Sequence, residues 1–378
     1  MKVLVVGGGG REHALVWKLG QSPLVEKIYC APGNAGIARE AECVPIDPTD
    51  ISSLADFARE KKVDLTVCGP EQPLAEGLVD HFALNGLKAF GPAKRAARIE
   101  GSKAFAKDLM SRYGIPTARF DVFTEPASAL KFAGKLGYPV VVKADGLAAG
   151  KGAVVCRTRE EAERALDAML VERKFGRAGD QVVVEEFLEG EELSVLALVS
   201  GNDIALLPPS QDHKQVFDGD EGPNTGGMGA YSPVPFVRDS DLAVIERDII
   251  VQTVHALDRE GSPYSGVLYT GLMLTQKGPY VLEFNCRFGD PETQAVLPKL
   301  EGDLAALLLA VTEGDLSDAA DELKVDPRYS VCVIMASGGY PGPYKKGLPI
   351  KGAEDDFGPD VYVFHAGTRR RGEEILTA

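Results

Sequence analysis

Short apolar runs alternate with amphipathic stretches through the first hundred residues. Val3–Val6, Lys27–Cys30, Asp64–Val67 and Lys88–Phe90 have the length and content of buried strands. Between them, Arg11–Leu19, Ile51–Glu60 and Gln72–Asn85 carry apolar residues at helical spacing. This alternation predicts a parallel sheet covered by helices, with ligands at the carboxyl ends of its strands.

A punctuated helix follows. Ser102 stands at its N-cap, Phe105, Leu109 and Tyr113 recur at four-residue spacing, and Gly114 with Pro116 ends it. From Ala118 to Leu188 the pattern reads strand, helix, strand, glycine-rich turn, strand, helix, strand, a unit compact enough for a lid. Thr158 and Glu161 open its second helix at capping-box spacing. Glu191–Glu313 mixes strands with a long polar loop, Ser210–Tyr231, and ends in a helix near Ala305–Val311. Acidic residues crowd 313–326 as in a linker, and a last block from Tyr329 includes a predicted strand, Asp360–Gly367.

The period-two pattern is most telling at Pro279–Arg287. Leu282, Phe284 and Cys286 fall on one face of the expected strand, and Glu283, Asn285 and Arg287 on the other. That polar face could be an ordinary solvent-facing edge. It could equally offer two hard oxygens, from Glu283 and Asn285, to a Mg²⁺ that keeps phosphate oxygens and waters as its other ligands. Arg287 would then meet a phosphate or carboxylate with paired hydrogen bonds. The preceding stretch, Val267–Leu274, has no acidic residue.

Two glycine-rich segments suggest anion sites of different kinds. After Val3–Val6 come four glycines and a helix, but a dinucleotide fingerprint fails because Glu12 stands where its third glycine is required. A helix N-terminus with free amides remains, or a plain tight turn. Gly146–Gly152 is one residue short of a phosphate-binding P-loop and lies between two strands with no helix after it. It reads as a hairpin tip, either a plain surface hairpin or a flap whose Gly146, Gly150 and Gly152 backbone closes over phosphates. Lys151 could add charge there, and Lys143 on the preceding strand is better placed for phosphate. Val182–Glu192 runs from an apolar strand into an acidic turn, where Glu192 could accept from ribose hydroxyls or simply be solvated. Asp212, Lys214, Asn224, Thr225 and Gly226 make the Ser210–Tyr231 loop a candidate wrapping for a small polar substrate.

Composition narrows the partners. The length suggests roughly two to three domains. A net charge of −15, from 41 basic and 56 acidic residues, argues against a nucleic-acid surface but leaves small phosphorylated ligands open. Six scattered cysteines with no CxxC fit reduced thiols in a cytoplasmic protein better than disulfides or zinc. No run reaches the ~18 apolar residues of a membrane span, and Met1–His13 breaks into glycine too early for a secretion signal.

Together GGGGREHAL, PGNAG, GPEQPL, SKAFAKDLM, KADGLAAGKG, VVVEEFLEGEE, SQDHKQVFDGDEGPNTGGMGAYSP, GVLYTGLML and VLEFNCRFGDPETQ resemble the ATP-grasp superfamily, and within it the glycinamide ribonucleotide synthetase family. The matching stretches reach from Met1 to about residue 300. The resemblance implies an α/β, ATP-grasp architecture: a Rossmann-like parallel α/β domain over 1–101, a core over 102–122 and 189–313, a lid over 123–188, and a β-rich C-terminal domain over 327–378. Members usually continue past a segment like His365–Thr368, so that last domain is expected to be incomplete. The implied enzyme is a monomer acting on ATP, glycine and 5-phosphoribosylamine with Mg²⁺ or Mn²⁺; the alternative is another ATP-grasp carboxylate–amine ligase. By the same resemblance Lys103 and Lys143 contact ATP phosphates, Glu185, Phe187 and Leu188 border adenine, and Glu192 takes the ribose. Glu283 and Asn285 hold the metal, Gly9, Gly10 and Glu12 belong to the phosphoribosylamine pocket, and Asp212, Lys214 and Arg287 lie near glycine and the acyl phosphate.

Overall fold

Val3–Val6 are fully shielded from solvent, as a strand covered on both faces requires. They form the middle of β1 (Lys2–Gly7) in a computed structural model that describes residues 1–148 and 152–378. After it come α1 (Gly10–Leu19), β2 (Lys27–Pro32), β3 (Glu42–Cys43), α2 (Ile51–Lys61) and β4 (Leu65–Cys68). The strands, with β5 (Ala89–Phe90), form a parallel sheet in the order β3-β2-β1-β4-β5. The order reverses at β1, so the loops after β1 and β4 flank a crevice at the carboxyl edge. The helix predicted over Gln72–Asn85 is two, α3 (Glu71–Glu76) and α4 (Leu78–Leu84). They part at Gly77, whose φ of +102° is open to glycine and stops the first helix.

α5 (Lys94–Gly101) leads to α6 (Lys103–Tyr113), where the Ser102 hydroxyl accepts from the Phe105 amide at 3.1 Å. The next unit comprises β6 (Phe120–Phe123), α7 (Pro126–Leu136), β7 (Val140–Ala144), β8 (Ala153–Cys156), α8 (Arg159–Leu166) and β9 (Val182–Glu186). Its sheet has the order β6-β9-β7-β8. Small and branched residues from its two helices, Ala129, Ala133, Ala162 and Leu166, close over Val140, Val142, Val182 and Val184. Thr158 caps α8, although the Glu161 carboxylate turns to the Arg157 amide instead of completing the box.

A second large sheet has the order β11-β10-β16-β17. β10 (Glu191–Ser200) and β11 (Asp203–Leu206) precede the long polar loop, which is itself structured. It holds β12 (Gln211–Asp212), a hairpin of β13 (Gln215–Phe217) and β14 (Glu221–Asn224), and β15 (Gly229–Ser232). α9 (Asp239–Ile245) and α10 (Val251–Arg259) lead to β16 (Ser265–Thr275) and β17 (Gly278–Asn285). Gly271 pairs with Glu283 but Leu272 with Val281, leaving Leu282 as an extra residue. This bulge shifts the phase of the strand. The expected apolar face of Leu282, Phe284 and Cys286 therefore fails at Leu282: Val281, Phe284 and Cys286 enter the core, while Leu282 lines a cavity.

α11 (Glu292–Val296), β18 (Leu300–Glu301), α12 (Leu304–Glu313), α13 (Leu316–Asp321) and β19 (Lys324–Val325) follow. The acidic 313–326 stretch is thus partly helical, anchored by the buried Leu316. β20 (Ser330–Val333) pairs with β15, and a small sheet of β21 (Pro349–Ile350), β22 (Thr368–Arg371) and β23 (Glu374–Thr377) closes the chain. The strand predicted at Asp360–Gly367 makes no ladder, because its aromatic side chains pack on α1: Tyr362 and Phe364 lie 4.5 and 5.7 Å from the Trp17 ring. Among the described residues no helix is long and apolar enough to cross a membrane.

Candidate active site

A cavity of about 260 Å³ opens between the β6–β9 sheet, α6, β17 and the polar loop. Part of its wall is apolar, from Val141, Val155, Phe187, Leu188, Met273 and the bulged Leu282. Charged groups from segments far apart in sequence line it as well.

The first charged group is cationic. Lys103 and Lys107 lie four residues apart on α6 and so share a face. Lys103 donates to the Gly146 carbonyl at 3.2 Å. Lys107 and Lys143 both pair with Glu185, one on each carboxylate oxygen, and all three side chains are buried. Burial alone would raise the Glu185 carboxyl, but Lys143 and Lys107 outweigh it and hold it below its usual range. Burial lowers both Lys103 and Lys107.

The second group runs along β17 and just past it. Glu283, Asn285 and Arg287 all face the cavity. Burial would raise the Glu283 carboxyl, yet Lys214, Lys143, Lys103 and Arg287 together keep it low, hence ionised at neutral pH. Among the described residues no side chain donates to its carboxylate. Among the described residues the Asn285 amide oxygen accepts only a long 3.4 Å contact from Arg287. A hard divalent cation wants oxygens of this kind, and two protein ligands suffice where phosphate supplies others. Arg287 sits between two carboxylates, 3.5 Å from Glu71 and 3.3 Å from Glu100. Although burial opposes its charge, Glu100 and Glu71 raise its pKa further. Burial raises Glu100, which also accepts from the Cys286 amide at 2.7 Å.

The polar loop closes the third side. Burial pushes Asp212 up to about 7, with Lys214 opposing at 3.8 Å and Glu292, Glu192 and Glu283 reinforcing. Lys214 bonds Glu192 at 3.0 Å. Asn224, Thr225 and Gly226 line the cavity, and the Gly226 amide donates to the Tyr340 hydroxyl at 3.1 Å. Glu292 accepts from Tyr269 at 2.9 Å and Ser194 at 3.1 Å.

The N-terminal glycine loop adjoins this cavity without lining it. The Glu12 carboxylate accepts from the Gly9 amide and from Arg11, both at 2.6 Å, and fills the crevice between the ends of β1 and β4. A Cβ at Gly7 would meet Glu12 at 2.6 Å, and one at Gly10 would meet Gln294 at 2.8 Å. Gln294 in turn bonds Asp290, a cavity residue, at 2.6 Å. Asn34 braces the loop from the other side by donating to the carbonyls of Gly8 and His365.

Lys103, Lys143, Glu185, Phe187, Leu188, Glu192, Asp212, Lys214, Asn224, Thr225, Gly226, Glu283, Asn285 and Arg287 therefore surround one cavity, as does Gly152. Gly146 packs behind it against Ala178, while Gly9, Gly10 and Glu12 stand at its margin. Gly150 and Lys151 lie outside the described residues.

Matches to known proteins agree with this assembly. Residues 1–100 match the phosphoribosylglycinamide synthetase N domain, 101–293 its ATP-grasp (A) domain and 330–378 its C domain. The chain belongs to the phosphoribosylglycinamide synthetase family. A phosphoribosylamine–glycine ligase of Caldanaerobacter subterraneus subsp. tengcongensis is 53% identical over 378 residues, 100% of this chain and 90% of the relative. One from Escherichia coli strain K12 is 52% identical over 377 residues, 99% of this chain and 87% of the relative. The crystal structure of phosphoribosylamine–glycine ligase from Thermotoga maritima superposes with a TM-score of 0.84 at 34% identity, covering 100% of this chain and 90% of that one. A biotin carboxylase–β,γ-ATP complex from Campylobacter jejuni, at 16% identity and a TM-score of 0.73, covers 100% and 86% and shares the fold.

Sequence reasoning missed Lys107, Glu71 and Glu100. Only Lys107 left a local signal, its four-residue spacing from Lys103 on a helix whose apolar stripe was already assigned.

Proposed function

We propose that the chain joins glycine to 5-phosphoribosylamine at the expense of ATP, giving glycinamide ribonucleotide, ADP and phosphate. The observation that carries this is the single cavity in which an apolar slot, a lysine cluster and the Glu283–Asn285–Arg287 row meet. The slot suits adenine, beside Phe187 and Leu188, with Glu192 for the ribose. Lys103 and Lys143 suit the phosphates. Residues 1–101 would carry phosphoribosylamine, 102–122 with 189–313 the catalytic core, 123–188 the lid, and 327–378 the brace for the substrate loops.

In the first step the glycine carboxylate attacks the γ-phosphate, the bond to ADP breaks, and glycyl phosphate forms. In the second the phosphoribosylamine nitrogen attacks the acyl carbon, phosphate leaves, and the amide forms. A carboxylate is a poor acyl donor, so phosphorylation supplies the leaving group. The protein's part is to position the reactants, neutralise developing charge and exclude water. Arg287 steadies the oxygens of the transferred phosphoryl group and the acyl phosphate. Asp212, with Lys214 beside it, takes the proton lost by the attacking amine. A divalent cation, Mg²⁺ or Mn²⁺, would be held by Glu283 and Asn285 and would neutralise charge on the phosphates when bound.

Phosphate release measured with ATP, glycine and freshly prepared phosphoribosylamine, each omitted in turn, tests the proposal. Release should require all three. Equal release without glycine or without the amine would overturn it, and dependence on a different acid or amine would indicate another ligase of this superfamily.

A further inference from the structure

We infer, granting that the triphosphate lies at Lys103 and Lys143 as proposed above, that Lys107 is a positioning residue: it holds the Glu185 carboxylate so that Lys143 can leave it for the phosphates. Two ammonium groups share this one carboxylate, so the cluster carries one positive charge more than it needs. The two lysines are not equally free. Lys107 is 2% exposed and donates to the Thr117 hydroxyl at 2.7 Å, and Thr117 in turn donates to the Val281 carbonyl at 2.8 Å. Its ammonium also lies 5.7 Å from the Phe120 ring on β6. Lys107 is thus tied to α6, β6, β9 and β17 at once. Beyond Glu185, Lys143 has one other partner among the described residues, the backbone carbonyl of the bulged Leu282 at 3.0 Å.

A buried carboxylate stripped of its cation is costly, far more than a rearranged pair. If Lys143 alone neutralised Glu185, its transfer to a phosphate would leave that carboxylate bare in the cavity wall. With Lys107 fixed on the other oxygen, the carboxylate keeps one cation throughout, and the nucleotide draws on the surplus charge. The other charged groups acting on Lys107 are Lys143 on β7 and Glu283 on β17. Lys103, one turn away on the same helix, remains on the phosphate side.

The test is calorimetric titration of the full chain with a non-hydrolysable ATP analogue and Mg²⁺, in buffers of different ionisation enthalpy. Lys107→Met should weaken binding at least about tenfold at pH 8. It should also make binding take up about one proton more than the wild-type chain does, because Glu185 must then be protonated when Lys143 departs. Affinity in that variant should accordingly improve from pH 8 to pH 6. Adding Glu185→Gln should restore affinity to within about threefold of Glu185→Gln alone, since no charge is left to balance. That last comparison stands even if Lys107→Met by itself does not fold. Unchanged affinity in Lys107→Met, weakening without extra proton uptake, or a loss of tenfold or more from Lys107→Met in the Glu185→Gln background would each overturn the inference. Lys143→Met separates the two levels. If it leaves nucleotide binding intact, the proposed phosphate site itself is wrong; if it weakens binding while Lys107→Met does not, only the role of Lys107 falls.

Discussion

Two ion clusters line the cavity, one fully buried and one half-buried, and they are opposite in composition. At one, a carboxylate lies between two lysines, Lys107–Glu185–Lys143; at the other, an arginine lies between two carboxylates, Glu71–Arg287–Glu100. The difference in surplus charge sets what each can do. The lysine cluster has a cation to spare and can extend one toward an incoming anion. The arginine cluster has none, so its guanidinium is held in place and acts from a fixed position. A preorganised donor of that kind is worth most when charge develops nearby, because nothing has to reorient at the moment of reaction.

The comparison can be broken most forcefully at Arg287. Arg287→Ala should lower turnover by on the order of a hundredfold or more, read as steady-state phosphate release. A near-normal rate would remove the arginine cluster from the chemistry. Next in size is Glu283→Ala, which should raise the Mg²⁺ concentration needed for half-maximal rate by roughly tenfold or more; an unchanged metal requirement would place the cation elsewhere. The pH profile probes Asp212, which lines the same cavity. A carboxylate base must be ionised, and burial pushes the Asp212 carboxyl up to about 7. The kcat/KM for phosphoribosylamine should therefore fall as pH drops below about 7 and level off above it. Asp212→Asn should lower the plateau and abolish that limb. Smallest should be Glu100→Gln, which leaves Glu71 on Arg287 and keeps an acceptor for the Cys286 amide; a loss of ~1 kcal/mol in transition-state stabilisation, under tenfold in rate, is expected. Adding Glu71→Gln should cost more than the sum of the two single changes, since the arginine then loses its second carboxylate.

What could be read from the sequence divides along the same physical line. The parallel sheet was legible because Val3–Val6 and its sister runs are short, apolar and separated by helical spacing. The polar face of β17 was legible because a strand alternates with period two, and Glu283, Asn285 and Arg287 do reach one cavity. Leu282 was misplaced because a bulge depends on the register with β16, which β17's own sequence does not record. Glu71 and Glu100 escaped notice for a related reason: each is an ordinary acidic residue on a helix until the fold sets Arg287 against it. Lys107 went unremarked because it sits on helix α6 while its partner Glu185 lies on strand β9, far along the chain. The Asp360–Gly367 segment has strand-like alternation, yet its aromatic residues are spent on Trp17 and His13. Local pattern thus reports backbone habit and one-sided polarity well. Ion clusters assembled from distant segments leave almost no local trace.

A crystal structure with a non-hydrolysable ATP analogue and Mg²⁺ bears most directly on all of this. The terminal phosphate should lie between Lys143 and the Glu283–Asn285 pair, within hydrogen-bonding reach of the lysine, with Lys107 still on Glu185. Density for the triphosphate at the Gly7–Gly10 loop, or anywhere remote from Glu283, would contradict it.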